Sequence, residues 1–250
     1  VLGVAWDGVG LGDDGTAWGG ECLLAERSAF RRFARLRPFP LPGGDRAART
    51  PWRCALGLLH EAGLALPPAA DLRCAPSLRD GVVRALDAGL NCPYTSGMGR
   101  LFDAVASLLG LCQVCDYEAE AAMAVQYQAE AATGETRAYP LPLVDGDGIR
   151  ELDWRPTLSS VLADRDAGEP ATRIAARFHN ALAEAVLAVA GLARLRRVVL
   201  GGGCFQNRQL LSVTVARLRA AGYEVYWPRA VPAGDGGIAL GQLTVAAARE

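Results

Sequence analysis

The last fifty residues constrain the fold more than any other part of the chain. Arg197-Val198-Val199-Leu200 is an apolar run of strand length, Gly201-Gly202-Gly203 is a turn, and the apolar spacing from Gln206 to Ala221 is helical. A second strand over Glu224 to Trp227, a Pro/Gly loop ending at Asp235 and a helix from Gly237 to Ala248 complete the pattern. Strand, helix, strand, helix at this spacing predicts a parallel, right-handed βαβ unit covered by helices, hence an α/β protein. The 250 residues suffice for one large domain or two intimate lobes.

The rest of the chain is read more coarsely. Val1 to Trp6 and Cys22 to Ala25 predict two strands joined by a long Gly/Asp-rich hairpin. Residues 28–45 interleave Arg, Phe and Pro and read as an irregular extended loop; Pro38, Pro40 and Pro42 forbid a helix there. Helical spacing follows over Ala47 to Ala62, Ser77 to Ala88, the stretch after Gly99 up to Gly110, Tyr117 to Ala132 and Pro170 to Leu195. Residues 135–154 predict short strands around the turn Asp145-Gly146-Asp147-Gly148.

Composition excludes several classes. Net charge is −1, so there is no basic excess of the kind a nucleic-acid binder uses to neutralise phosphates. No apolar run of membrane-spanning length occurs. The chain has no Lys, which removes Walker-type and Schiff-base lysine chemistry. Seven scattered cysteines predict reduced thiols in a cytoplasmic protein, and the pair Cys112 and Cys115 reads either as buried thiols or as half of a metal or redox site. The start at Val1 reads as a strand already under way, so the fold is expected to be incomplete at its N-terminus.

The candidate site lies at strand ends. In GGGCFQNR (201–208) a strand runs into glycines and a helix, either as a phosphate cradle of backbone N–H groups or as a tight turn. Asp235 follows a parallel strand and precedes a helix, where it is either an N-cap or a ligand for a metal or ribose; Asp7 projects from the end of the first strand. Two such carboxylates suit a hard or borderline cation that bridges phosphate oxygens. Arg100 and Asp103 lie one helical turn apart, as a surface ion pair or as nucleotide-side residues. His179, on an apolar helical face, reads as a packing histidine.

The segments 5–21, 36–49, 94–111, 176–184, 201–211 and 232–242 together resemble the C-terminal transferase domain of the HypF family of hydrogenase-maturation carbamoyltransferases, and more distantly the O-carbamoyltransferases and the threonylcarbamoyl transferases of tRNA modification. The resemblance implies an actin/sugar-kinase/Hsp70-like ATPase fold with two lobes. It also implies transfer of a carbamoyl group from carbamoyl-adenylate, made from carbamoyl phosphate and ATP, to the C-terminal cysteine of a HypE-like partner, on the route to the cyanide ligands of nickel–iron hydrogenase. O-carbamoylation of a small-molecule hydroxyl, a non-catalytic nucleotide-binding scaffold and a sugar kinase are the alternatives. Carried over residue by residue, the resemblance implies Asp7 and Asp235 as ligands of a divalent zinc, iron or magnesium ion. It implies Gly201, Gly202, Gly203 and Asn207 as adenylate contacts, and Arg100 and Asp103 as nucleotide-side residues. The family's H-x-x-x-H motif, first lobe, and acylphosphatase, zinc-finger and adenylating domains do not occur in these 250 residues. The usual Asn-Asp-Gly-Gly reads Gly234-Asp235-Gly236-Gly237, and Met98 replaces a small residue. Two carboxylates without imidazoles are expected to hold a metal weakly, so this chain by itself is expected to transfer little.

Overall fold

The computed structural model describes residues 1–249. Nine strands join one mixed sheet: β1 (Leu2–Leu11), β2 (Ala17–Ala25), β3 (Phe30–Leu36), β4 (Phe39–Pro40), β5 (Tyr94–Thr95), β6 (Leu143–Asp145), β7 (Arg150–Leu152), β8 (Arg197–Gly201) and β9 (Glu224–Tyr226). The main path is β6-β7-β3-β2-β1-β8-β9, with β4 and β5 attached beside β2. Among the described residues nine α-helices accompany it: α1 (Arg46–Arg49), α2 (Pro51–Glu61), α3 (Pro76–Asp87), α4 (Met98–Leu108), α5 (Glu120–Glu130), α6 (Arg155–Asp166), α7 (Ala171–Ala193), α8 (Arg208–Ala220) and α9 (Ile238–Ala247). β8 and β9 pair in parallel across α8, as the pattern of the last fifty residues requires, and β8 also pairs in parallel with β1. β1 and β2 form the expected antiparallel hairpin.

The main core lies where Leu2, Val4 and Trp6 of β1 meet α4 and α7, with Phe102 and Phe178 packed edge to face at 5.0 Å between ring centres. A smaller apolar cluster, Trp52, Leu56, Leu72, Val82 and Leu86, joins α2 to α3. No described helix is long and apolar enough to cross a membrane.

One expectation is overturned. Residues 28–45 are not an irregular loop, because Phe30–Leu36 forms β3, antiparallel to β2 and parallel to β7. Ala34 and Leu36 are buried on alternate positions, but Arg31, Arg32 and Arg35 take three of the other five and lower the apolar signal. Arg32 and Arg35 are held by neighbours. The Arg32 guanidinium lies 4.0 Å from the Trp18 ring centre and donates to Glu21 Oε1 at 2.9 Å, while Arg35 Nη2 donates to Glu151 Oε1 at 2.7 Å. Aliphatic stems that lie on the sheet with paired heads allow a charged strand in this position.

Candidate active site

Asp7 is presented by a bulge. Trp6 pairs with Gly20 and Gly10 with Trp18, so Asp7, Gly8 and Val9 stand opposite Gly19 alone. A bulge re-aims side chains at a strand edge, and here it turns the Asp7 carboxylate toward the glycine turn after β8. Asp7 Oδ1 accepts from Gly8 N–H at 2.8 Å and Oδ2 accepts from Gly203 N–H at 2.9 Å. The partner side of the bulge is fixed by Glu21, only 2% exposed, whose Oε2 accepts from Gly19 and Gly20 N–H and whose Oε1 accepts from Arg32 and Ser96.

The three glycines divide their roles. Gly202 has φ +95°, and a Cβ on it would lie 2.1 Å from Trp6 O, so only glycine fits. Its N–H donates to Ala233 O at 2.8 Å, which draws the 232–237 loop against the turn. A Cβ on Gly203 would meet Asp7 Oδ1 at 2.9 Å. Gly203 lines the cavity described below; Gly201 and Gly202 do not, and they serve the turn that presents it. The N–H groups of Gly202 and Gly203 already have protein acceptors, so the glycine turn is mainly a carboxylate holder and not an open phosphate cradle.

A cavity of about 530 Å³ collects most of the remaining candidates. Asp7, Asp235, Gly203 and Asn207 line it together with Arg100 and Asp103 of α4, and Glu118, Ala119 and Gln126, which carry no site signal in the sequence, complete the wall. Its volume is in the range of small-molecule sites. Asp235 is exposed and sits in the first turn of a 3₁₀ helix whose N-cap is Gly234, while α9 is N-capped by Gly237, so the N-cap alternative is not what the fold uses. As donors for a divalent cation Asp7 and Asp235 fit: both are carboxylates on one cavity, and each Asp7 oxygen accepts only one protein hydrogen bond among the described residues.

The Arg100 and Asp103 pair is not on the surface. Asp103 is 2% exposed, and Arg100 Nη1 stands 3.0 Å from Asp103 Oδ2, without the alignment of a hydrogen bond. Burial pushes the Asp103 carboxyl up to about 6, and the Arg100 charge only partly opposes it. Burial also pushes the Cys204 thiol on the cavity wall far upward, with the Asp7 charge adding to the effect, so this thiol keeps its proton at neutral pH and is a poor nucleophile.

Asn207 is the N-cap of α8: its Oδ1 accepts from Leu210 N–H at 3.0 Å while its Nδ2 donates to His179 Nε2 at 2.9 Å. That bond makes Nε2 the acceptor and places the ring proton on Nδ1, which donates to Ala175 O at 2.7 Å. His179 is fully buried, as a packing histidine should be, and burial lowers its pKa to about 4.

His179 and Asp103 therefore act oppositely on stability. The unfolded His179 takes up a proton below about 6.5 and the folded one only below about 4, so its contribution is lost as pH falls through that window. Folded Asp103 keeps its proton up to about 6 against an ordinary 3.8, so its contribution is lost as pH rises from about 4 to 6. Each amounts to roughly 3 kcal/mol. Urea unfolding of Asp103→Asn is expected to show stability rising with pH between 4 and 6.5, and His179→Gln the reverse; parallel slopes in the two variants would contradict the assignment.

α5 begins at Glu120, later than the expected Tyr117, because Ala119 adopts φ +61°. A left-handed alanine costs about 1–2 kcal/mol. Ala119→Gly is expected to gain about 0.5–1 kcal/mol, since the flexibility of glycine in the unfolded chain offsets part of the relief. A melting temperature raised by a few degrees is the corresponding readout; an unchanged or lower one would show that the strain is not felt.

Comparison with known proteins shows this sheet to be that of a Kae1-like carbamoyltransferase subdomain. The fold superposes on full-length HypF solved in its phosphate- and nucleotide-bound form with a TM-score of 0.89 and 34% identity, over 98% of this chain and 39% of that one. It superposes on T. kodakarensis HypF with a TM-score of 0.86 and 30% identity, over 98% of this chain and 34% of that one. Residues 3–242 match the family model described as carbamoyltransferase, Kae1-like domain, second subdomain, and the chain belongs to this HypF carbamoyltransferase family. Carbamoyltransferase HypF of Synechocystis sp. is 37% identical over 97% of the chain and 33% of its own length. The HypF homolog of Cupriavidus necator is 43% identical over 99% of the chain and 65% of its length, and Rhodobacter capsulatus HypF is 44% identical over 98% and 32%. The chain thus spans between about a third and two thirds of the length of these relatives.

Proposed function

We propose that this chain forms part of a cytoplasmic enzyme that moves a carbamoyl group from carbamoyl-adenylate to the C-terminal cysteine of a HypE-like protein, for the cyanide ligands of nickel–iron hydrogenase. The observation that carries the reading is the convergence of Asp7, Asp235, Gly203 and Arg100 on one cavity, in a chain of a carbamoyltransferase family. In the proposed reaction the acceptor sulfur, its proton lost to solvent, attacks the carbamoyl carbon as thiolate, the bond from that carbon to the adenylate oxygen breaks, and AMP leaves with the electron pair. The acceptor thiol comes from the partner, in keeping with a Cys204 that holds its proton.

Asp7 and Asp235 are the residues that would hold a divalent ion, which when bound supplies polarisation of a phosphate or carbamoyl oxygen. The rest of the work falls to protein groups. Gly8 and Gly203 N–H hold the Asp7 carboxylate in place, and the Arg100 guanidinium brings positive charge to the wall that would face the adenylate phosphate. Asn207, bonded to His179 and to the first turn of α8, keeps the adjacent wall rigid.

The test is a reconstituted reaction with the intact protein, carbamoyl phosphate, ATP and a HypE-like acceptor, read as added carbamoyl mass on the acceptor's C-terminal cysteine. Carbamoylation only of a small-molecule hydroxyl would move the assignment to an O-carbamoyltransferase. Nucleotide binding without any transfer would leave a scaffold.

A further inference from the structure

The proposed transfer makes no use of Cys112, Cys115 and Glu120, which meet just ahead of the Glu118–Ala119 wall of the cavity. Cys112 Sγ and Cys115 Sγ are 3.7 Å apart, and with a Glu120 carboxylate oxygen all three ligand atoms lie within 4.8 Å of one another.

This arrangement is held from several sides. Between the cysteines, Gln113 is buried, its Nε2 donating to Ser107 O at 2.9 Å and to Asp71 O at 3.2 Å and its Oε1 accepting from Ser107 Oγ at 2.6 Å. Cys115 N–H donates to Arg49 O at 2.9 Å. Asp116 N–H donates to Glu120 Oε2 at 2.6 Å, which orients that carboxylate and leaves Oε1 without a protein partner among the described residues. The thiols thus face each other in a turn pinned to α1, α4, the segment before α3 and the start of α5, so little ordering is needed to bring ligands together.

The spacing and the donor types select the ligand. A disulfide requires sulfurs about 2.05 Å apart. Two sulfurs bound at about 2.3 Å to one tetrahedral zinc stand roughly 3.8 Å from each other, close to the separation found here. Two sulfur donors exclude the all-oxygen preference of calcium and magnesium, and a carboxylate beside them suits a borderline divalent ion. We propose that Cys112, Cys115 and Glu120 bind a divalent cation of the zinc class, with two thiol protons released to solvent and water in the fourth position. This centre is separate from the oxygen-donor pair Asp7 and Asp235, and it would brace the loop that forms the cavity wall.

Cobalt(II) titration of the purified, reduced protein tests the proposal. A near-ultraviolet thiolate-to-metal charge-transfer band is expected, displaced by zinc, absent in the Cys112→Ser/Cys115→Ser variant and retained in Asp7→Asn. Zinc is also expected to protect Cys112 and Cys115 of the unaltered protein from alkylation, a readout that needs no variant to fold. The proposal is overturned by a missing band, by a band that survives in the double variant, by equal alkylation with and without zinc, or by Cys112 and Cys115 isolated as a disulfide from reduced protein.

Discussion

Asp7→Asn is expected to lower carbamoyl transfer by on the order of 10²- to 10³-fold, the usual consequence of removing one electrostatic group from a reaction centre. The substitution keeps the shape and removes the charge, but it also disturbs the turn. Both Asp7 oxygens accept a backbone N–H, from Gly8 and from Gly203, and an asparagine side chain can accept only one of them while its amide donor meets the other. Asp235→Ala separates the two effects. Its carboxylate is exposed and has no hydrogen-bond partner among the described residues, so the variant should fold normally, lose transfer to a similar degree, and leave adenylation by the intact protein unaltered. Single-turnover carbamoylation of the acceptor, measured beside unfolding curves, checks both variants. Unchanged transfer in Asp235→Ala would remove that residue from the site.

The second large effect is expected at Glu21, a residue without contact to the cavity. Glu21→Ala leaves Gly19 N–H, Gly20 N–H and part of the Arg32 guanidinium without their acceptor and takes the shorter of two acceptors from the Ser96 hydroxyl, all near a buried position. Breaking a buried pair by removing one member costs about 3–5 kcal/mol, a large part of the stability of a typical domain. For a chain of this size that corresponds to a melting temperature lower by roughly 10 °C. The reason this matters for function is register: Gly19 is the residue opposite the bulge that turns Asp7 inward. Glu21→Gln should recover part of the loss, since one oxygen acceptor remains. A shift of less than about 1 kcal/mol in Glu21→Ala would mean that the hub is not rigid.

Patterns carried by apolar residues at regular spacing were legible. The βαβ unit of β8, α8 and β9, the β1 and β2 hairpin, and long helices such as α7 follow from periodicity and from glycine and proline punctuation. The strand β3 was not, since Arg31, Arg32 and Arg35 interrupt its apolar residues, and the heads of Arg32 and Arg35 are neutralised by Glu21 and Glu151, the latter more than a hundred residues away. Helix α6 also had a weak signal, with Thr157, Leu158 and Val161 its only buried residues. In the candidate site, Asp7, Asp235, Arg100, Asp103, Gly203 and Asn207 were picked out by strand ends and family resemblance, and they do share one cavity.

Other parts of the site had no local signature. Glu118 and Gln126 belong to an alanine-rich stretch whose composition says only that it is helical, and the contact that brings it to the cavity is made by tertiary packing of α5 on α4 and α7. The division of labour in the glycine turn depends on distances to Trp6 O and to the Asp7 carboxylate. The sequence by itself determined the α/β class, the parallel unit at its end, the family and the carboxylates at strand ends, because these depend on residue type and short-range order. Tertiary structure alone decided that Arg100 and Asp103 are buried and that Asp7 is aimed by a bulge held through Glu21. It alone brought Cys112, Cys115 and Glu120 within reach of one ion, because desolvation and hydrogen-bond direction are set by neighbours remote in the chain.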